Sequence, residues 1–317
     1  MYKLIYIGVA FVFISIVSCV KLPVQKTEYA HFEKIKVAPG PEDLQLFKDK
    51  NSGKFSILVS CDERREGKLN GSIWSIDLET HQSRPLHLQF KSNKNSFHPH
   101  GIHVFENYLF VIDHFNELKE SRIYRFEIKG DTLFEDTLYE KGIIGFPNDI
   151  VALGKHTFLY SNFNFKGGVV RFSDNHFHTL ISGLHMANGI DSISVNGFPF
   201  GVVSSTWGKK LFRFDTQTGE KKKIQKVKGG DNFTYNEGKL LVTGHLRFGK
   251  FMKHVKSTDN KSPSVVYELD VLTNTKKAIF VDNGQQISAV STALYFNNRM
   301  YLGQIFDDFV LVGFVGK

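Results

Sequence analysis

Short apolar runs alternate with bulkier ones along the chain, and the pairing repeats. The first pair is Ser56-Ile57-Leu58-Val59-Ser60 followed by Ser72-Ile73-Trp74-Ser75-Ile76-Asp77. It returns at 109–113 with 122–126, 158–161 with 169–172, 200–204 with 211–215, 240–244 with 264–269, and 300–303 with 309–312. Runs rich in β-branched and aromatic residues, bounded by polar turns, read as strands. One strand precedes each pair and usually one follows, which gives six units of roughly four strands. No stretch carries a long amphipathic helical pattern. The expected fold is therefore all-β, a six-bladed β-propeller, because a two-sheet sandwich need not repeat its hairpins at this period. The strand at 32–37 stands alone before the first unit and is expected to pair with the C-terminal strands, closing the ring. No linker divides residues 31–317, which read as one propeller domain.

Just before the first strand of each unit, at a similar phase, stands a polar group: Glu42-Asp43, His98-Pro99-His100, Asn148-Asp149, Asn188-Gly189, Asp231-Asn232 and residues 288–292. In a propeller the innermost strands all start at one face, so residues of equal phase converge on the central channel. Ordinary Asn and Asp turns would not keep that phase. Oxygen donors with little sulfur or imidazole select a hard cation, and carboxylates mixed with amide carbonyls favour calcium over zinc. With Glu42 and Asp231 as anions and Asn148, Asn188 and Asn232 as neutral donors, the charge matches one divalent ion and leaves positions for water and substrate. The central channel is thus expected to bind calcium. Asn148 and Asp149 are adjacent on a strand or its start and point opposite ways, so each is expected to serve a different ion.

The N-terminus and the charge add a location. Lys3 precedes an apolar run at 4–17, short for a membrane span and suited to secretion, ending in Ile16-Val17-Ser18-Cys19. That ending resembles a bacterial lipobox with Cys19 acylated. Residues 1–18 are then a lipoprotein signal peptide and 19–30 a tether. The folded part sits on a membrane surface of the bacterial cell envelope, facing the periplasm or the exterior. Cys61 is left alone, so no disulfide framework holds the fold. The formal charge of +8 falls by one when Lys3 is removed and suits an anionic lipid surface. Nucleic acid is excluded as a partner, since the basic residues are scattered and no stripe of aromatics interleaves them. The basic stretch 247–254, with polar 257–262 behind it, could lie on the membrane or roof the pocket as a cation-and-aromatic loop, and is expected rather to be a solvated surface excursion.

The stretches Gly40-Pro41-Glu42-Asp43-Leu44, Phe97-His98-Pro99-His100-Gly101-Ile102, Pro147-Asn148-Asp149-Ile150-Val151-Ala152-Leu153-Gly154, Ala187-Asn188-Gly189-Ile190 and Asp231-Asn232 resemble, in order and spacing, the motifs of the paraoxonase/arylesterase family. The resemblance runs from Val37 to the C-terminus. It implies a propeller with two calcium ions that hydrolyses lactones, aryl esters and some organophosphates. Carried over by position, it implies that Glu42, Asn148, Asn188, Asp231 and Asn232 hold a catalytic ion. Asp43, Asp149 and the backbone carbonyl of Ile102 would hold a buried structural one. It places His100 and His114 as a histidine dyad, His100 as the base and His114 orienting it, with Glu42 the competing base. His245 matches a pocket-wall position. The implied substrate is a small-molecule lactone or ester, and the chain is expected to act as a monomer. Two departures bear on substrate range: only residues 162–168 stand where longer members carry a large apolar insertion, and the disulfide joining the ends of animal members is absent. Two other functions stay open. One is a sugar lactonase of the gluconolactonase-like propellers, which lack the paired histidine signature; the other is a non-catalytic surface propeller that keeps calcium for stability.

Overall fold

The computed structural model describes residues 27–65, 70–91, 96–115 and 120–315. The 1–18 leader, Cys19 and the tether up to residue 26 lie outside the described residues. Strand β1 (Tyr29–Lys36) is followed by blade 1, built from β2 (Pro41–Lys48), β3 (Phe55–Cys61), β4 (Ser72–Asp77) and β5 (Ser83–Pro85). The short β6 (His87–Gln89) then adds in parallel to the outside of blade 2, which holds β7 (Pro99–Phe105), β8 (Tyr108–Phe115), β9 (Glu120–Lys129) and β10 (Thr132–Tyr139). Blade 3 is β11 (Pro147–Gly154), β12 (Thr157–Asn162), β13 (Gly167–Ser173) and β14 (His176–Leu184). Blade 4 is β15 (Ala187–Val195), β16 (Phe198–Ser205), β17 (Lys210–Phe214) and β18 (Lys221–Gln225). In blade 5, β19 (Gly230–Asn236) and β20 (Lys239–His245) are separated by helix α1 (Phe248–Lys256) from β21 (Ser264–Leu269) and β22 (Lys276–Asp282). Blade 6 takes β23 (Val290–Phe296), β24 (Arg299–Gln304) and β25 (Phe309–Val315) from the C-terminal end and β1 from the other.

The fold is thus an all-β propeller of six blades, as the repeat predicts. The antiparallel ladder from Ile35 against Val310 to Phe32 against Gly313 closes the ring without a disulfide, and Cys61 is free and buried. The expected tether is shorter than the sequence suggests. Thr27 already bridges Phe280, and Tyr29 is buried against blades 5 and 6.

The second strand of each blade is sandwiched on both faces by neighbouring sheets, which explains near-continuous apolar runs such as Leu109–Ile112, all fully buried. The core is consequently a set of seams between blades. Leu44, Ile57 and Val59 pack on Tyr301, Val310 and Val312 between blades 1 and 6, and Leu58 and Ile73 pack on Ile102, Leu109 and Val111 between blades 1 and 2. Similar seams follow around the ring.

What positions the site is a feature common to the six innermost strands. These strands neighbour one another in order, β2, β7, β11, β15, β19 and β23, and β23 returns to β2. Each loses register by one extra residue near its start: between Pro41 and Asp43, Pro99 and Ile102, Pro147 and Ile150, Ala187 and Ile190, Gly230 and Phe233, and Val290 and Thr292. Such a bulge breaks strict alternation and re-aims side chains. Consecutive polar residues are therefore all buried there: Glu42 with Asp43, Asn148 with Asp149, Asp231 with Asn232. Glycine at 101 and 189 lets adjacent strands approach, since a Cβ on Gly101 would stand 2.6 Å from the Asn148 carbonyl oxygen and one on Gly189 2.6 Å from that of Asp231.

Candidate active site at the channel mouth

The bulges bring the expected cation ligands together at one end of the channel. Glu42, Asn148, Asn188, Asp231 and Asn232 are each at most 7% exposed. The side-chain carbonyl oxygens of Asn148, Asn188 and Asn232 are buried and make no hydrogen bond among the described residues. A buried amide oxygen without a donor is costly, so three at one ring position mark a place built for something positive. The Glu42 carboxyl is pushed up to about 7, first by burial and further by the nearby negative charge of Asp231, against the opposing pull of Arg64. Among the described residues no three His, Cys, Asp or Glu side chains are grouped to hold a metal. A cation here would therefore draw on amide oxygens as well as the two carboxylates. Such a donor set fits calcium better than zinc.

The imidazole of His100 stands inside this cluster, with Nε2 3.0 Å from Asn148 Nδ2 and 3.3 Å from Glu42 Oε1. Burial first, then Arg64 and His114, holds its pKa well below the usual histidine value, so it is neutral at pH 7. His114 is an edge-on neighbour at a ring-centroid distance of 4.9 Å, and burial lowers its pKa to about 3. Its Nδ1 pairs with Ser121 Oγ at 2.9 Å, and its ring stacks on Phe146 at 4.3 Å. His100 Nδ1 and His114 Nε2 are both buried without a partner among the described residues. The expected dyad is thus adjacent and neutral, each ring fixed from outside. His98, quoted in the same motif, turns away to Asp62, 2.9 Å from its Nδ1, and that bond raises its pKa.

The residues expected to hold a structural ion behave differently. Asp43 accepts hydrogen bonds from the backbone of Leu44 and, on the next blade, of Ile102, both at 2.8 Å. Asp149 accepts in the same way from Ile150 and from Ile190 of blade 4. Asp191, which the motifs do not single out, repeats the pattern with Ser192 and with Tyr235 of blade 5. His103 Nδ1 accepts from Ala152 between blades 2 and 3, Thr234 donates to Ala293 between blades 5 and 6, and Ser291 donates to Glu42 between blades 6 and 1. A circuit of side-chain-to-backbone bonds thus ties each inner strand to the next. Burial raises the pKa of Asp43, Asp149 and Asp191, and the three carboxylates repel one another.

His245 lies at the expected wall, its Nε2 2.8 Å from Asp231 Oδ2. Against its other side stacks Phe251 of α1, with ring centroids 4.3 Å apart. The basic insertion is therefore no solvated excursion. Phe251 and Val255 pack on Ala289, Ile305 and Phe306 of blade 6, and Phe248 meets Trp207 of blade 4. Arg65 of blade 1 donates to the His254 carbonyl at 3.0 Å and lies over the Phe306 ring at 4.2 Å. The helix is held from blades on both sides of its own, over the histidine that touches Asp231. Arg64 and Asp191 were not legible as site residues, though the bulge phase, shared by Asp191 two residues after its Asn-Gly, hints at the second; Phe251 was legible only as part of a loop that could roof the pocket. Elsewhere, a cleft of about 280 Å³ between blades 1 and 2 is lined by Asp49, Asp77 and Asp131, at the far ends of the strands. Asp49 and Asp77 there accept bonds from their own turns, which is turn chemistry.

Known proteins resemble the chain in sequence and in fold. The Arylesterase family model matches residues 64–311. Serum paraoxonase/arylesterase 1 of Mus musculus is 21% identical over 306 residues, covering 85% of this chain and 84% of its own. Serum paraoxonase/lactonase 3 of Homo sapiens is 22% identical over 311 residues, covering 84% and 87%. Among solved structures, a gluconolactonase from Xanthomonas campestris superposes with a TM-score of 0.62 at 12% identity, covering 92% of this chain and 95% of its own. A luciferin-regenerating enzyme superposes at 0.57 with 11% identity, covering 90% and 95%, and both likenesses speak to the fold alone. With most of its length matched and the motif residues gathered at one mouth, the chain belongs to the Arylesterase family.

Proposed function

We propose that this chain is a calcium-dependent hydrolase of lactones and aryl esters, acting at the Glu42, Asn148, Asn188, Asp231 and Asn232 mouth. The observation that carries the reading is the set of three buried asparagine oxygens without donors beside two carboxylates. Held by these five residues, calcium would supply Lewis acidity beside the ester carbonyl. Asp43, Asp149 and the carbonyl of Ile102 would hold a second ion that adds to stability. The chain's own groups do the rest. His100, neutral because it is buried, takes a proton from the attacking water. His114, fixed by Ser121 and Phe146, presents an unpartnered Nε2 to carry that proton onward. His245 and Phe251 shape the wall and exclude water from one side. The lipid on Cys19 then holds the enzyme at a membrane of the cell envelope, and Cys19→Ser releasing the protein from the membrane fraction is the check on that placement.

The test is hydrolysis of a lactone panel and of phenyl acetate, with calcium and with EDTA, by the wild type and by His100→Ala. Turnover that needs calcium and falls about 10²-fold or more in the variant is the expected result. Full activity after complete calcium removal overturns the mechanism. A folded, calcium-loaded protein that turns over none of these substrates favours a binding propeller instead.

A further inference from the structure

Two adjacent arginines end the β3 side of blade 1 and have opposite tasks. Arg65 is engaged with α1, as described. Arg64 turns inward, its side chain 17% exposed, and ion-pairs with Glu42 Oε2. Its other partners are poor. The Pro99 carbonyl is 3.5 Å from its terminal nitrogen, and Asp62 is 3.9 Å from its Nε, beyond hydrogen-bond reach. Asp62 is itself bonded to His98. The buried Nε of Arg64 has no hydrogen-bond partner among the described residues. A guanidinium presents five donors in a planar fork that matches a carboxylate two bonds at a time, and among the described residues no such pairing is made.

The one good partner of Arg64 is also a proposed calcium ligand. A divalent cation on Glu42 would compete with the guanidinium and repel it, weakening that pairing when the site is loaded. What remains beside the mouth is a half-buried fork whose remaining protein carboxylate, Asp62, is already bonded to His98. We propose that Arg64 is a substrate-recognition residue that pairs with a carboxylate carried by the substrate, so that the preferred esters or lactones bear a second, anionic group beside the scissile one. This rests on the hydrolase reading above for the reaction, and on Arg64 alone for the anion.

The full-length, calcium-loaded protein is compared on phenyl acetate and 4-acetoxybenzoate, the same ester without and with a carboxylate. The wild type is expected to favour the anionic ester, mainly through a lower KM. In Arg64→Gln the ratio of kcat/KM for the anionic over the neutral ester falls at least about tenfold, and Arg64→Lys keeps part of it because it keeps the charge without the fork. An unchanged ratio overturns the proposal. So does an Arg64→Gln protein that only binds calcium more tightly, because that outcome makes Arg64 a counter-ion of Glu42. Calorimetry with 4-hydroxybenzoate and with phenol reads the anion site without turnover. If neither ester is hydrolysed but 4-hydroxybenzoate binds in an Arg64-dependent way, the hydrolase reading fails and the anion site stands. If both esters are hydrolysed with no Arg64-dependent preference, the anion site fails alone.

Discussion

Two sets of oxygens on the same bulged strands are treated in opposite ways. At the mouth, the carbonyl oxygens of Asn148, Asn188 and Asn232 are buried and unbonded. One residue or a few further on, every oxygen of Asp43, Asp149 and Asp191 accepts a backbone N–H, one from its own strand and one from the next blade. The first set keeps its acceptor capacity unused. The second already belongs to the ring, and a cation there would add to bonds that join the blades. Open acceptors and cohesion are thus separated along a single short segment, with Asn148 and Asp149 as adjacent members of different systems.

The sharpest way to break this comparison is to remove one oxygen from each set. Asn148→Ala takes away a mouth donor and the amide beside His100 Nε2, and kcat/KM for phenyl acetate should fall about 10²–10³-fold. Its melting temperature should change little, because no backbone group depends on that side chain. A large loss of stability with activity retained would merge the two sets. Asp149→Ala reverses the pattern. It strands the N–H groups of Ile150 and Ile190, and at about 1–3 kcal/mol for each buried donor the loss should reach about 2–5 kcal/mol in chemical denaturation. Equal effects of both variants on stability would show that the bonding difference has no energetic meaning.

The next effect is a dependence on pH. Burial pushes Glu42 and Asp191 up to about 7 and Asp43 and Asp149 above their usual range. With folded values above the unfolded value of about 4, the calcium-free folded chain holds the extra protons. The stability they contribute is full below about pH 4 and is lost as pH rises through the folded values. Buried His100, His103 and His114, held neutral in the fold, oppose this below about pH 6.5, so in EDTA the melting temperature should fall chiefly between about pH 6.5 and pH 8. Calcium binds the ionised carboxylates, so its stabilising shift should grow over the same interval. Thermal melts with EDTA and with calcium at each pH check this, and two parallel curves would detach the carboxylates from any cation.

The mouth was readable in the sequence because a propeller repeats. Equal phase in six units placed Glu42, Asn148, Asn188 and Asp231 together before any contact was known, and the apolar pairs gave the blades. What stayed hidden depends on side chains that cross between units. Arg64 follows a strand as one more charged loop residue, and nothing local says that it turns to Glu42. The helix at Phe248–Lys256 has nine residues, too few to be stable alone, and exists because Phe251 and Val255 find blade 6. The circuit through Asp191 depends on a backbone N–H of another blade, which no spacing within blade 4 announces.

The smallest expected effect tests whether α1 belongs to the mouth alone. Arg65→Met keeps a long apolar stem near Phe306 and removes the bond to the His254 carbonyl, a charged hydrogen bond at a half-buried site worth about 1 kcal/mol. The helix should then open more often, and amide exchange across residues 248–256 should quicken about fivefold. Because Phe251 stacks on His245 and His245 holds Asp231, the loosened helix should raise KM for phenyl acetate modestly. The Asp43, Asp149 and Asp191 circuit makes none of these contacts, so exchange at Ile102, Ile190 and Tyr235 should not change. Faster exchange at those amides as well would mean that the mouth and the circuit open as one unit, and that their difference in bonding does not extend to their dynamics.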